Sequence, residues 1–130
     1  MPYRQYNPNP NFRRTGDCSV RAISAALGVD WYTAYDLICD EGRILGNMPS
    51  GDETWGNVLK NEGFRRWAVP HHCNGCYTAE DFSIDNPDGT FVLAFGGHVA
   101  TVKDSYLLDS WDSSMESPVY VWSKTRPHFI

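Results

Sequence analysis

The sequence predicts an α+β domain, and three observations lead to that class. Between positions 18 and 61 apolar residues recur at helical spacing, whereas from position 64 onward they alternate as strand residues do. The order, helices first and strands second, places the helices on one side of a mainly antiparallel sheet. The chain of 130 residues is the size of one compact domain spanning residues 1–130. With 42% hydrophobic residues and five tryptophans it has enough apolar surface to fold.

Each element has its own signal. Residues 1–14 carry Pro2, Pro8 and Pro10 among asparagines, which forbids a helix and predicts an extended, turn-rich arm. From Cys18 to Leu27 small and apolar residues run almost all round a helix, and Gly28 ends it. Asp30 is an N-cap for a second, amphipathic helix marked by Trp31, Ala34, Tyr35 and Ile38, with Gly42 as its expected close. Residues 43–53 read as a loop, and Thr54 to Asn61 as a short third helix stopping at Gly63. The strands expected next are 64–70, 90–95, 98–103, 106–111 and 119–123, with one helical turn after Thr78 in the long connection between the first two.

Composition excludes several function classes. A net charge of -5 provides no footprint for nucleic acid or an anionic membrane, and the cluster Arg4, Arg13, Arg14 and Arg21 reads as solvated loop charge. No stretch approaches the ~18 apolar residues of a membrane span, and MPYRQYNPNPNF lacks the apolar core of a signal peptide. The expectation is a cytoplasmic protein with no nucleic-acid or membrane partner. Four cysteines without a secretory signal are expected to stay reduced, so each needs its own explanation. Cys39 falls on a helix and reads as core.

Cys18 is different. It follows the polar turn Thr15-Gly16-Asp17 and opens a helix, where unsatisfied backbone N–H groups and the macrodipole favour thiolate over thiol. Position alone leaves a reactive thiol and a buried small hydrophobe equally open. The stretch FGGHVATVKDSYLLDSWD supplies the second half of a site. Gly96 and Gly97 free the backbone beside His98, and the alternation after it marks a strand. If Asp104-Ser105 form a two-residue turn, Lys103 faces Tyr106, Ala100 faces Asp109 and His98 faces Trp111. Asp109 then shares a face with His98, one diagonal step away at roughly 7–8 Å between backbones. Asp112 points to the other face, whereas a three-residue turn or a bulge would promote Asp112 or Ser110. A helix-initial cysteine, a later strand histidine and then an acid are a nucleophile, a base and an orienting group in a recurrent order.

The segments TGDCSVRAISAALG and GGHVATVKDSYLLDSWD together resemble the minimal papain-like cysteine peptidase fold. The likeness is to small phage and bacterial proteins with an Asn-rich arm, a GDC-x-x-RA helix start and a GHV strand; residues 43–89 carry no signature of it. It implies Cys18 as nucleophile, His98 as base and Asp109 as orienting residue, in a bacterial or phage-infected cytoplasm. Many relatives place a glutamine six residues before the nucleophile as oxyanion donor, where this chain has Phe12. Asn11, next to it, has the same amide chemistry, although turn-making explains it equally well. Asn11, Asp17, Gly97 and Trp111 are thus the candidates for holding substrate and oxyanion. The implied reaction is cofactor-free cleavage of an amide bond in a peptide or protein substrate through a thioester. Peptidoglycan amidase activity and a catalytically retired binding module, the latter using Trp55, Trp67, Trp111 and Trp122, are the alternatives.

His71, His72, Cys73 and Cys76 offer half of a zinc site. The ligands left for a second half are Cys39 and His128, and four donors within six residues would close on one ion under strain. A polar loop turning at Asn74-Gly75 is the preferred reading, and no metal is expected.

Overall fold

The structure, a computed structural model, describes residues 3–70, 73 and 75–129. The elements run β1 (Tyr3–Gln5), α1 (Cys18–Leu27), α2 (Trp31–Leu45), α3 (Asp52–Asn61), β2 (Arg65–Ala68), α4 (Ala79–Asp85), β3 (Thr90–Phe95), β4 (His98–Lys103), β5 (Tyr106–Asp109) and β6 (Tyr120–Ser123). They form a mixed α+β fold around a six-stranded sheet of order β1-β5-β4-β3-β6-β2. Its pairs are antiparallel except β1, which lies parallel to β5. Among the described residues no helix is long and apolar enough to cross a membrane.

Both faces of the sheet are covered, which corrects the expectation of helices on one side. Val92 and Ala94 of β3 and Val99 of β4 pack with Ile23, Ile38 and Leu59 of α1, α2 and α3. Phe91 and Leu93 of β3, with Ala100, Val102 and Leu107, pack with Phe82 of α4 on the opposite face. The physical reason lies in β3, where residues 91–95 are buried without a break, and a strand apolar on both faces needs cover on both. α4 itself is longer than one turn because Thr78 and Asp81 form a capping box, each accepting from the other's backbone N–H.

α1 has the expected bounds. Gly28 adopts φ 67 and its N–H caps Ser24 O, ending the helix in the left-handed geometry glycine favours. The helix packs between β4 and α2, and Thr101 Oγ1 on β4 donates to Ala22 O at 2.8 Å, a bond from sheet to helix that fixes its height. The arm is tied to it as well, since Tyr6 OH and Ser24 Oγ are 2.7 Å apart.

α2 passes through Gly42 and closes at Gly46 instead. Gly42 serves packing: a Cβ there would sit 2.8 Å from the Asn47 carbonyl oxygen, so glycine permits the chain to fold back over the helix. In an ordinary helix interior Gly→Ala stabilises by about 0.5–1 kcal/mol. Gly42→Ala is expected to destabilise by ~1–3 kcal/mol, because backbone must shift. The urea midpoint measures it, and a raised midpoint would disprove the close-approach account.

Candidate active site

The hairpin β4–β5 turns on two residues, Asp104 and Ser105, with φ 48 and 71, the left-handed pair of a type I′ turn. Its ladder pairs Lys103 with Tyr106, Val102 with Leu107 and Thr101 with Leu108. Extended further, that register brings Asp109 opposite Ala100, and His98 Nε2 and Asp109 Oδ2 are 2.6 Å apart. Asp112 is exposed and its carboxylate accepts from the Ser114 backbone N–H, so it takes no part.

Asp109 is 1% exposed, and both its oxygens are occupied. Oδ1 accepts from the Ser110 backbone N–H at 2.8 Å and lies 3.4 Å from Arg21 Nη2. Oδ2 accepts from Ser113 Oγ at 2.6 Å as well as facing His98. Burial pushes the Asp109 carboxyl up, but the bonds from His98 and Ser113 and the His98 charge outweigh it and hold the group below its ordinary value. β1 secures the backbone here, since the Asp109 carbonyl accepts from Tyr6 N–H at 2.7 Å and from Tyr3 OH at 3.3 Å. The arm, expected to be only extended, thus adds a strand beside the acid.

Cys18 is the first residue of α1, and it lines the same cleft as His98. With Nε2 engaged by Asp109, Nδ1 is the ring nitrogen left for the thiol. Burial raises the Cys18 pKa, but the His98 bond, a bond from the Val99 backbone N–H and the charges of His98 and Arg21 bring it below the ordinary thiol value. For His98 burial acts downward, yet the bonds and charges of Asp109 and Cys18 raise it to about 9. The two shifts agree in sense: thiolate and imidazolium stabilise each other. The ring is held between Phe95, stacked at 5.9 Å, and Trp111, tilted at 5.0 Å. These neighbours keep water off its flanks and strengthen the bond to Asp109.

Arg21, expected with Arg4, Arg13 and Arg14 as solvated loop charge, is instead a buried residue of α1. It is 5% exposed, pairs with Asp17 one helical turn earlier and reaches Asp109. The pair with Asp17 was legible from its i,i+4 spacing; the reach to Asp109, across 88 residues, was not.

The structure does not place Asn11 or Asp17 as substrate groups. Asn11 is exposed, with its N–H tied to Asn9 Oδ1 at 2.9 Å, and it does not line the cleft. The buried amide of the arm is Asn9, whose side chain organises the turn and donates to Asp17 Oδ2 at 3.2 Å. Asp17 is buried and committed to Arg21, Asn9 and Trp31 Nε1. Because that carboxylate is turned away, α1 has no side-chain cap, and its first N–H groups, Cys18 among them, are left to meet an oxyanion. Phe12 is exposed with φ 53.

A cleft of about 210 Å³ contains Cys18, His98 and Gly97, with Trp55 and Asp52 of α3 and Tyr120 of β6 as its far wall. No spacing pattern in the sequence marked that wall, which long-range packing assembles. A larger cavity of about 570 Å³, between β2 and the tail at 126–129, contains no member of the Cys-His-Asp set. Cys73 and Cys76 are joined in a disulfide, Cα–Cα 5.4 Å, which corrects the expectation of reduced thiols. Two intervening residues and a turn bond from Cys76 N to Cys73 O bring the sulfurs together. His71 and His72 lie outside the described residues, while the two cysteines of the zinc half-site, bonded to each other, have no thiolate to offer a metal. Compared with protein-family models, with curated proteins and with solved structures, the chain finds no match in any of the three.

Proposed function

We propose that the protein is a cysteine-dependent hydrolase of papain-like architecture that cleaves amide bonds in peptide or protein substrates. One observation carries this reading: helix-initial Cys18 and His98 line one cleft, and His98 is bonded in turn to a buried and fully engaged Asp109. In the reaction Cys18 Sγ attacks the carbonyl carbon, and the oxyanion meets the uncapped N–H groups of α1. Nδ1 of the His98 imidazolium gives its proton to the departing nitrogen, the C–N bond breaks and a thioester remains. Water, losing a proton to His98, then releases the acid and regenerates the thiolate. Asp109 holds the imidazole in the Nε2–H form throughout.

The test is alkylation by iodoacetamide against pH, read at each cysteine by mass spectrometry, with Cys39 as reference. Cys18 is expected to titrate below the ordinary thiol value of about 8.5. In His98→Ala the largest lowering influences vanish while burial stays, so the titration moves up. An ordinary thiol is only a few per cent ionised at pH 7, so the rate there should fall about 10-fold or more. A Cys18 that labels like an ordinary thiol in the wild-type chain would sink the proposal.

Hydrolysis adds an upper limit. Below the Cys18 pKa the nucleophile is protonated; above about 9 His98 loses the proton the leaving group needs. The kcat/KM profile is therefore expected to be a bell falling near pH 9, while alkylation stays fast beyond it. A hydrolysis rate still rising through about pH 10 would remove His98 as general acid.

A further inference from the structure

Beside the catalytic cleft lies a groove of about 360 Å³ that shares Gly16, Ser19 and Ser50 with it. Cys18 lines the cleft, and the groove meets that cleft along residues on either side of Cys18 in the chain. Its walls are Val20 of α1 and Trp31, Tyr35 and Ile38 of α2. The Trp31 and Tyr35 rings, one helical turn apart, stack at 5.0 Å and 16°, and Tyr35 remains 45% exposed. The one carboxylate in the lining, Asp17, is already held by Arg21, Asn9 and Trp31.

We infer that this groove seats an aromatic or branched aliphatic side chain on the residue that supplies the attacked carbonyl; the inference rests on Cys18 being the nucleophile. Chemistry and continuity both support it. A side chain attached next to the carbonyl at Cys18 has the groove within reach through Gly16, where no Cβ narrows the opening. An apolar group entering it exchanges water for the Trp31–Tyr35 stack and Val20. A charged group would lose its hydration and gain no opposite charge, because Asp17, the one charged residue of the lining, has no free capacity. The site thus selects by apolar size and against charge.

The experiment uses acetyl-capped single-residue acyloxymethyl ketones bearing Phe, Leu, Gly or Glu. The Cys18 thiolate displaces carboxylate from the methylene and forms a thioether, so no turnover is required. The Phe and Leu probes are expected to alkylate Cys18 on the order of 10- to 100-fold faster than the Gly probe, with Glu slowest. Tyr35→Ala, at a half-exposed helical position that accepts alanine, should level Phe with Gly and leave the iodoacetamide rate unchanged. Tyr35→Lys should advance the Glu probe. Equal Phe and Gly rates at a Cys18 that iodoacetamide labels as a thiolate would overturn the subsite alone, as would a Phe preference unchanged in both variants. A Cys18 that iodoacetamide labels as an ordinary thiol overturns the hydrolase reading and this inference with it.

Discussion

Cys18→Ala is expected to lower kcat by about 10⁴- to 10⁶-fold on any peptide the wild-type chain cleaves, because no other group can form the acyl intermediate. The fold should persist. Cys18 is half-buried at the edge of the cluster around Ile23 and Val99, and alanine is the better helix former. The melting temperature is therefore expected to move by a few degrees at most. Cys39→Ala serves as the control: its thiol lies on α2, outside the cleft, and its rate should match wild type. The comparison separates three accounts. A hydrolase loses its rate with Cys18 and keeps its melting point. A retired binding module has no rate to lose. If Cys18 instead acted through packing, Cys18→Ala would lower rate and melting point together.

How far the sequence could be read depended on the range of the interactions involved. α1 was legible to the residue because its limits are local: a polar turn before it and Gly28 after it. The α2 end misleads because Gly42 looks like a cap but serves a tertiary approach by Asn47, which no local pattern encodes. β1 is three residues in a proline-flanked arm, and only its pairing with β5, about a hundred residues later, makes it a strand. His98 and Asp109 could be placed on one face because a single two-residue turn fixes every pair in that hairpin. The approach of Cys18 to His98 spans about eighty residues, and no local rule encodes it; residue type, chain order and the resemblance suggested it. Asn11 was a candidate through its neighbourhood to Phe12, whereas the fold uses Asn9. Compartment argued against the disulfide; spacing alone would have allowed it.

Arg21→Met is expected to destabilise the chain by ~3–5 kcal/mol at pH 7, the cost of leaving buried charge uncompensated. The guanidinium lies between Asp17 on the helix of the nucleophile and Asp109 on the strand of the acid, and Asp17 and Asp109 are 6% and 1% exposed. Methionine keeps the apolar stem and removes only the fork. Arg21→Lys should recover part of the loss, since one ammonium cannot meet two carboxylates as a planar fork does. The pH dependence carries the sign. Asp109 has a depressed folded pKa, so its contribution is present above the unfolded value of about 3.9 and is lost as pH falls through the folded one. Once acid protonates Asp109, the guanidinium no longer has that charge to offset. The stability gap between wild type and variant is therefore expected to be widest near neutrality and to narrow below about pH 4, measured as urea midpoints across the range. A gap constant with pH would mean that Arg21 acts through its stem alone. The same variant should raise the Cys18 titration slightly, because the Arg21 charge is among the influences that lower it. A stability loss without that rise would assign Arg21 to the scaffold and remove it from the electrostatics of the nucleophile.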